Sequence, residues 1–427
     1  MRLHQIAASL LLALPIMAGC KSDDSLNAPN VIDPMFRRYA ALGNSITAGF
    51  QSLGINDSTQ RRAYPALLAA AMGTSFTFPT LSRPGCPPPF TNNVTQARVG
   101  NGTATTCAGN AVPRELLNNL GVPGNAVGTL LSNFGGLPSA FDPLKTLMLG
   151  GRTEIELMMK LQPTFVTIFI GNNDVLGAFI SLTNAGDSTL ITPVPQFTAD
   201  FDKVADSVTA TGANVAVVSV GSVTYIPFAS PGGIYYCLKN ADPVCTTVVN
   251  PPIPQNPILG NLATFTVTAA CAPQNGGFTF QVPWPIALGK VQAAVGGTPS
   301  SLDCADQPSV IGPEEMAAMQ TAVTGYNQHI QSVAQARGWA YVDINPAFAQ
   351  LKAQGQIPVF PDVSGVFIPP PQGPQPIRFG PIFSLDGIHP SSTGQRMIAD
   401  SIASVINQTY GTSLPVPICV KVTCPPP

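Results

Sequence analysis

Thr153-Glu154-Ile155-Glu156-Leu157-Met158-Met159-Lys160, a break at Pro163, then Phe165-Val166-Thr167-Ile168-Phe169-Ile170: the fold is decided by this stretch. Its first part reads as a helix. Its second part is an unbroken apolar run of strand length, too continuous for a sheet with one wet face. The couple recurs along the chain. A helix over about 196–210 precedes Val215-Ala216-Val217-Val218-Ser219-Val220. The longest periodic helix, over 314–337, aligns Met316, Met319, Val323, Tyr326, Ile330 and Val333 on one face and leads into Trp339-Ala340-Tyr341-Val342-Asp343-Ile344. Upstream, Tyr39-Ala40-Ala41-Leu42-Gly43 is a short buried strand. Residues 64–73 form a helix with Pro65 in its first turn and Gly73 closing it. Gln395-Arg396-Met397-Ile398 begins the last helix. Such alternation predicts an α/β three-layer sandwich, with a central parallel sheet of about five strands covered on both faces.

Two long stretches interrupt the pattern. Residues 76–114 and 224–312 are rich in Pro, Thr, Asn and Gly, and are read as insertions into a domain spanning 35–412. Loops of that length serve as lids or binding surfaces, or as decoration. Residues 413–427 form a Pro-rich tail. The N-terminus is read as an export signal over 1–19: Arg2, an apolar run from Ile6 to Met17, and Ala18-Gly19 before Cys20. A cysteine at that place resembles the bacterial lipoprotein signal, in which it is lipidated. Residues 20–34 then form a tether to a lipid anchor in the cell envelope, with the outer membrane favoured by Lys21. The other eight of the nine cysteines fall into neighbouring couples, Cys86 with Cys107, Cys237 with Cys245, Cys271 with Cys304 and Cys419 with Cys424. Proximity alone suggests that pairing, and many connectivities stay open. None has metal-site spacing with histidine, so no metal is expected. With 10% charged residues and a net charge of −2, the chain lacks the electrostatic footprint of a nucleic-acid binder.

Chemistry points to the chain's few histidines. Of three, His4 lies in the export segment, leaving His329 and His389. Only His389 has an acid close in sequence, in Asp386-Gly387-Ile388-His389-Pro390. An aspartate at that place also suits a helix N-cap or a turn. His329, beside the apolar face of the long helix, reads as a partly exposed surface residue. Far upstream, Gly43-Asn44-Ser45 puts a serine at a strand-to-helix turn. Open parallel sheets carry reacting groups at the carboxyl ends of their strands. Two further turns meet that condition, Gly171-Asn172-Asn173-Asp174 and the glycine-bearing Asn119-Leu120-Gly121-Val122-Pro123-Gly124-Asn125. The G-x-S-x-G elbow of α/β-hydrolases is absent, since Thr47 stands where its second glycine belongs.

These blocks, in this order, resemble the SGNH hydrolase superfamily, also called GDSL esterases and lipases. Ser45, Gly124, Asn173 and His389 match the family's four positions, with Gly121 a rival for the second. The resemblance implies a flavodoxin-like sandwich and a serine esterase or lipase that needs no cofactor and acts on a lipid or an acylated glycan. It further implies Ser45 as nucleophile, His389 as base and Asp386 as the orienting acid. The oxyanion donors would be the Ser45 and Gly124 amides and the Asn173 side chain. Asp174 is expected to hold its turn. One departure is Asn44, where the family usually has aspartate. It motivates an alternative reading, a non-catalytic binding lipoprotein on the same scaffold. Deacetylation of a polysaccharide is a narrower variant of the esterase reading.

Overall fold

The computed structural model describes residues 31–108, 116–132, 143–240, 260–366 and 372–418. The segment read as an export signal, Cys20, most of the stretch read as a tether, and the expected Cys419–Cys424 couple lie outside these.

Four parallel strands form the central sheet: β1 (Tyr39–Gly43), β2 (Phe165–Phe169), β3 (Asn214–Val218) and β4 (Ala340–Val342), in that spatial order. About five were expected. The fifth place, outside β1, is taken by residues 118–122, which pair with β1 through one parallel bridge between Ala41 and Asn119. Its backbone bonds alternate along β1: Ala41 N to Asn118 O (2.8 Å), Leu120 N to Ala41 O (2.9 Å) and Val122 N to Gly43 O (3.3 Å). Counting that segment second in the chain, the spatial order is 2-1-3-4-5, the flavodoxin-like arrangement. The order of strand addition reverses beside β1, and that switch point opens a crevice at the strands' carboxyl ends.

The helices used below are α1 (Ser45–Ala48), α2 (Tyr64–Met72), α3 (Pro143–Leu149), α4 (Glu154–Leu161), α5 (Asn173–Ile180), α6 (Val194–Thr209), α7 (Gly232–Asn240), α8 (Trp284–Val295), α9 (Pro313–Arg337), α10 (Asn345–Ala353) and α11 (Ser392–Tyr410). Strand alternation divides the core. Tyr39, Ala41, Phe165, Phe169 and Val218 face α2 and α11 through Leu68, Ile398 and Ile402. Leu42, Val166, Ile168, Val215 and Val217 face α4, α6 and α9 through Met158, Phe201, Val204 and Tyr326. Both faces are dry, which is why these strands read as unbroken apolar runs.

Residues 229–240 and 260–311 build a smaller core of their own, with Ile234, Phe265, Val282, Val291 and Leu302 around the Cys271–Cys304 disulfide. Two short ladders run through it, Ala229–Pro231 with Gln281–Pro283 and Phe265–Val267 with Ser300–Leu302. Cys86 pairs with Cys107, closing the first long loop. Cys237 is also disulfide-bonded, while its expected partner Cys245 lies outside the described residues. The described parts of the second stretch are therefore folded. Its strands are three residues long, too short for periodicity to reveal.

Candidate active site

Ser45 sits at the first position of α1, just past the carboxyl end of β1. The turn is set by Asn44, buried, whose Oδ1 accepts the Ile46 amide hydrogen (3.0 Å) as an N-cap. The Asn44 amide donates to Asn172 Oδ1 (3.3 Å) and so ties the turn after β1 to the turn after β2. A carboxylate could still cap, but it could not make that second bond as a donor.

The last loop brings His389 to Ser45 across 344 residues of sequence, with Nε2 3.0 Å from the serine oxygen. Asp386 Oδ2 lies 2.8 Å from Nδ1 and takes the Leu53 amide at 2.8 Å. Its Oδ1 accepts from the Ile388 and His389 amides, each at 2.8 Å, and from the Ser384 hydroxyl at 3.1 Å. Burial alone would raise this carboxyl. The His389 imidazole and the donated hydrogen bonds outweigh that and hold it below the ordinary carboxylate range. Asp386 does not cap the final helix; Ser391 does, accepting from Thr393 and Gly394. Freed from capping, the Asp386 carboxylate is turned toward the imidazole, its own loop and the Leu53 amide. Phe50 covers the imidazole, ring centres 4.9 Å apart.

A tight turn buttresses the acid. Gln51 and Gly54 exchange backbone hydrogen bonds (2.8 and 3.1 Å), and Ser52 and Leu53 between them have φ of 54° and 48°. Neither is the glycine, asparagine or aspartate such a turn prefers. The strained pair is held because its groups are engaged. Ser52 N donates to Ser384 Oγ (2.8 Å), and Leu385 N donates to Ser52 Oγ (3.2 Å). From the other side, Trp284 Nε1 donates to the Asp386 carbonyl at 3.4 Å, so the first residue of α8 also bears on this loop.

Three donors were expected from the sequence to serve an oxyanion, and each has a hydrogen to spare. No acceptor among the described residues takes the Ser45 or Gly124 amide hydrogen. Gly124 has φ +90°, and a Cβ there would meet nothing within 4 Å, so the backbone is open to the crevice. Gly121, its rival, is ruled out: its N–H is spent on Asn119 Oδ1 (3.0 Å), and a Cβ would press to 2.7 Å of Thr47 and Ala48. Asn173 opens α5, and its amide donates one hydrogen to the Asn125 carbonyl (2.8 Å), leaving the second to point elsewhere.

The loop carrying Gly124 stands on buried charge. Asn125 donates to Glu154, which pairs with Lys145 Nζ at 2.7 Å, both side chains fully buried. Burial pushes the Glu154 carboxyl up, and Lys145 and Asn125 pull against that. Asp174 fixes the same loop by accepting the Val127 amide at 2.9 Å. Glu154 looks in sequence like an ordinary first-turn acid after the Thr153 cap, and only tertiary burial sets it apart. His329 is half-buried and is not far from acid after all. Asp202 of α6 lies 2.8 Å from its Nε2, a cross-helix pair that local sequence could not show. Among the described residues, no group of three or more His, Cys, Asp or Glu is placed to hold a metal ion.

The family model described as GDSL-like lipase/acylhydrolase matches residues 39–402. No curated protein matches. Solved structures with similarity include LAE5, an alpha/beta hydrolase enzyme from the metagenome of Lake Arreo, Spain (13% identity, 89% of this chain and 96% of that one, TM-score 0.37). An acetylxylan esterase from Geobacillus stearothermophilus matches at 11% identity over 88% and 95% of the chains (TM-score 0.36). An extracellular lipase from Streptomyces rimosus matches at 15% over 87% and 99% (TM-score 0.33).

Two outcomes are expected. Burial, helped by the charge of Asp200, raises Asp174 from 3.8 to about 6. Its contribution to folding is therefore complete below the unfolded value and is lost as pH rises through about 6. In urea unfolding, Asp174→Asn should gain on the wild type between pH 4 and 7 by a few kcal/mol, on the order that linkage gives. A difference independent of pH would contradict this. Ser384→Ala removes one bond to Asp386 and the acceptor of the Ser52 amide. Ester turnover should fall about tenfold with KM retained. Unchanged turnover would reduce Ser384 to packing.

Proposed function

Since the chain belongs to the GDSL-like lipase/acylhydrolase family and is an ester-bond hydrolase, we propose that it cleaves carboxylic esters through an acyl-Ser45 intermediate. The observation that carries the reading is the unbroken relay from the Ser45 hydroxyl to His389 Nε2 (3.0 Å) and from Nδ1 to Asp386 (2.8 Å). Ser45 Oγ attacks the ester carbonyl as His389 Nε2 takes its proton. Asp386 keeps Nδ1 protonated and stabilises the imidazolium without itself taking the proton. The negative charge on the carbonyl oxygen is met by the Ser45 and Gly124 amides and the free hydrogen of Asn173. The imidazolium then protonates the departing alkoxide, and the C–O bond breaks. Water, deprotonated by the same nitrogen, attacks the acyl-enzyme, and the acid leaves as Ser45 regains its proton. No step needs a cofactor.

Asn44 supports this reading over that of a degenerate binding scaffold, because it keeps the cap that sets the serine. The pattern Arg2, apolar run, Ala18-Gly19-Cys20 supports attachment at the cell envelope through a lipid on Cys20.

Hydrolysis of p-nitrophenyl esters by protein lacking residues 1–20 tests the chemistry. Ser45→Ala should lower kcat on the order of 10⁴-fold or more. Asn173→Ala should lower it about 10²–10³-fold, or about 2.7–4 kcal/mol of barrier. Full activity in Ser45→Ala would remove the mechanism. For the anchor, Cys20→Ala in the full chain should move the protein from the membrane fraction to the soluble one, and unchanged partition would refute lipidation.

A further inference from the structure

Sequence neighbours of the relay line a further space. A small apolar pocket adjoins the catalytic turns, lined by Ile46 after Ser45, Asn172 before Asn173, Ile388 and Pro390 on either side of His389, and Phe348 of α10. Its lining shares Tyr225 and Ile226 with a second, larger cavity of about 380 Å³, bordered by residues of α9, of the 229–311 stretch and of the end of α10. Tyr225 stacks on Phe348 at this junction, ring centres 6.3 Å apart and planes within 15°. Lys352 lies one helical turn beyond Phe348, about 6 Å along the axis of α10, and lines the larger cavity.

Lys352 is the charged residue among the cavity's described lining, and it pairs with no carboxylate there. An ammonium in the last turn of a helix ordinarily reaches into solvent, where the helix dipole favours it. This one is half-buried, turned inward onto the Thr224 carbonyl at 2.7 Å, with two of its three hydrogens left over. Burial, with no charge to compensate it, lowers its proton affinity. The amides of Gln281 and Gln320 and the hydroxyl of Thr279 supply polar groups on the remaining walls. A desolvated cation facing a space of ligand size calls for an anion.

We propose that the enzyme prefers esters carrying a negative charge, separated from the scissile bond by an apolar segment, with the anion seated beside Lys352. The inference rests on the esterase reading of Ser45 and names the substrate class of that site. The apolar segment crosses the pocket between Ile46 and Phe348, passes the Tyr225–Phe348 stack and delivers a carboxylate, or a group of like charge, to the larger cavity. The anion can belong to the acyl part or to the alcohol part, since the same chemistry recognises both.

The test pairs neutral and anionic esters of matched length. One arm compares p-nitrophenyl alkanoates with the mono-p-nitrophenyl esters of adipic, suberic and sebacic acids. The other compares acetate release from acetylated alkanols and acetylated ω-hydroxyalkanoic acids. In one arm, at one chain length, kcat/KM for the anionic ester should exceed the neutral one by about tenfold, and added salt should shrink the ratio. Lys352→Gln should bring that ratio near one, and Lys352→Glu should invert it. The ratio is internal to each variant, so a loss of folded protein does not imitate the effect. A ratio near one at every length in both arms, with neutral esters cleaved, would overturn the charge preference and leave the esterase. A ratio unchanged in Lys352→Gln would overturn the role of Lys352. Failure to cleave any ester would instead bring down the reading of Ser45 itself.

Discussion

The contact between the Ser45 hydroxyl and the His389 imidazole is the constraint on which the rest depends. It joins residues 344 apart, and nothing local holds either partner to the other. The sheet does so indirectly. Parallel strands put all their carboxyl ends on one edge, and the reversal of strand order beside β1 leaves a gap there. Ser45, Gly124 and Asn173 end three adjacent strands of that edge. His389 arrives on a loop just before α11, whose apolar face is fixed against the same sheet by Ile398 and Ile402. Dry packing on both faces is therefore what sets a distance of 3.0 Å at the edge.

Around that contact, buried polar groups are satisfied in interlocking sets. Asp386 gathers backbone and side-chain donors from its own loop and from the strained turn at Ser52 and Leu53. The loop of Gly124 stands on Asn125, Glu154 and Lys145 on one side and on Asp174 on the other. Groups of this kind cost stability when unpaired, so each set resists partial loosening. The Ser45 and Gly124 amides have no acceptor among the described residues, as expected where a transient negative charge must be met.

Much of this was legible in the residues. Unbroken runs such as Phe165–Ile170 reveal strands buried on both faces, and the turns that follow them locate the edge where chemistry collects. Residues 118–122 were harder: a five-residue edge segment with two asparagines carries no strand signal, and its pairing with Ala41 is tertiary. The smaller core formed by residues 229–240 and 260–311 escaped because its ladders are three residues long and it is assembled from distant pieces. Ser384, the Leu53 amide and the Lys145–Glu154 pair were invisible for a related reason. Their importance comes from burial against another part of the chain, which composition does not encode. The choice between Gly121 and Gly124 also needed coordinates, because it turns on which amide is already spent.

The most direct measurement of the central claim is mass spectrometry of the protein after treatment with a fluorophosphonate. The account predicts one adduct per chain, mapped to Ser45, formed quickly in the wild type and slowed by orders of magnitude in His389→Ala. An adduct on another residue, or labelling of Ser45 that is indifferent to His389, would contradict it.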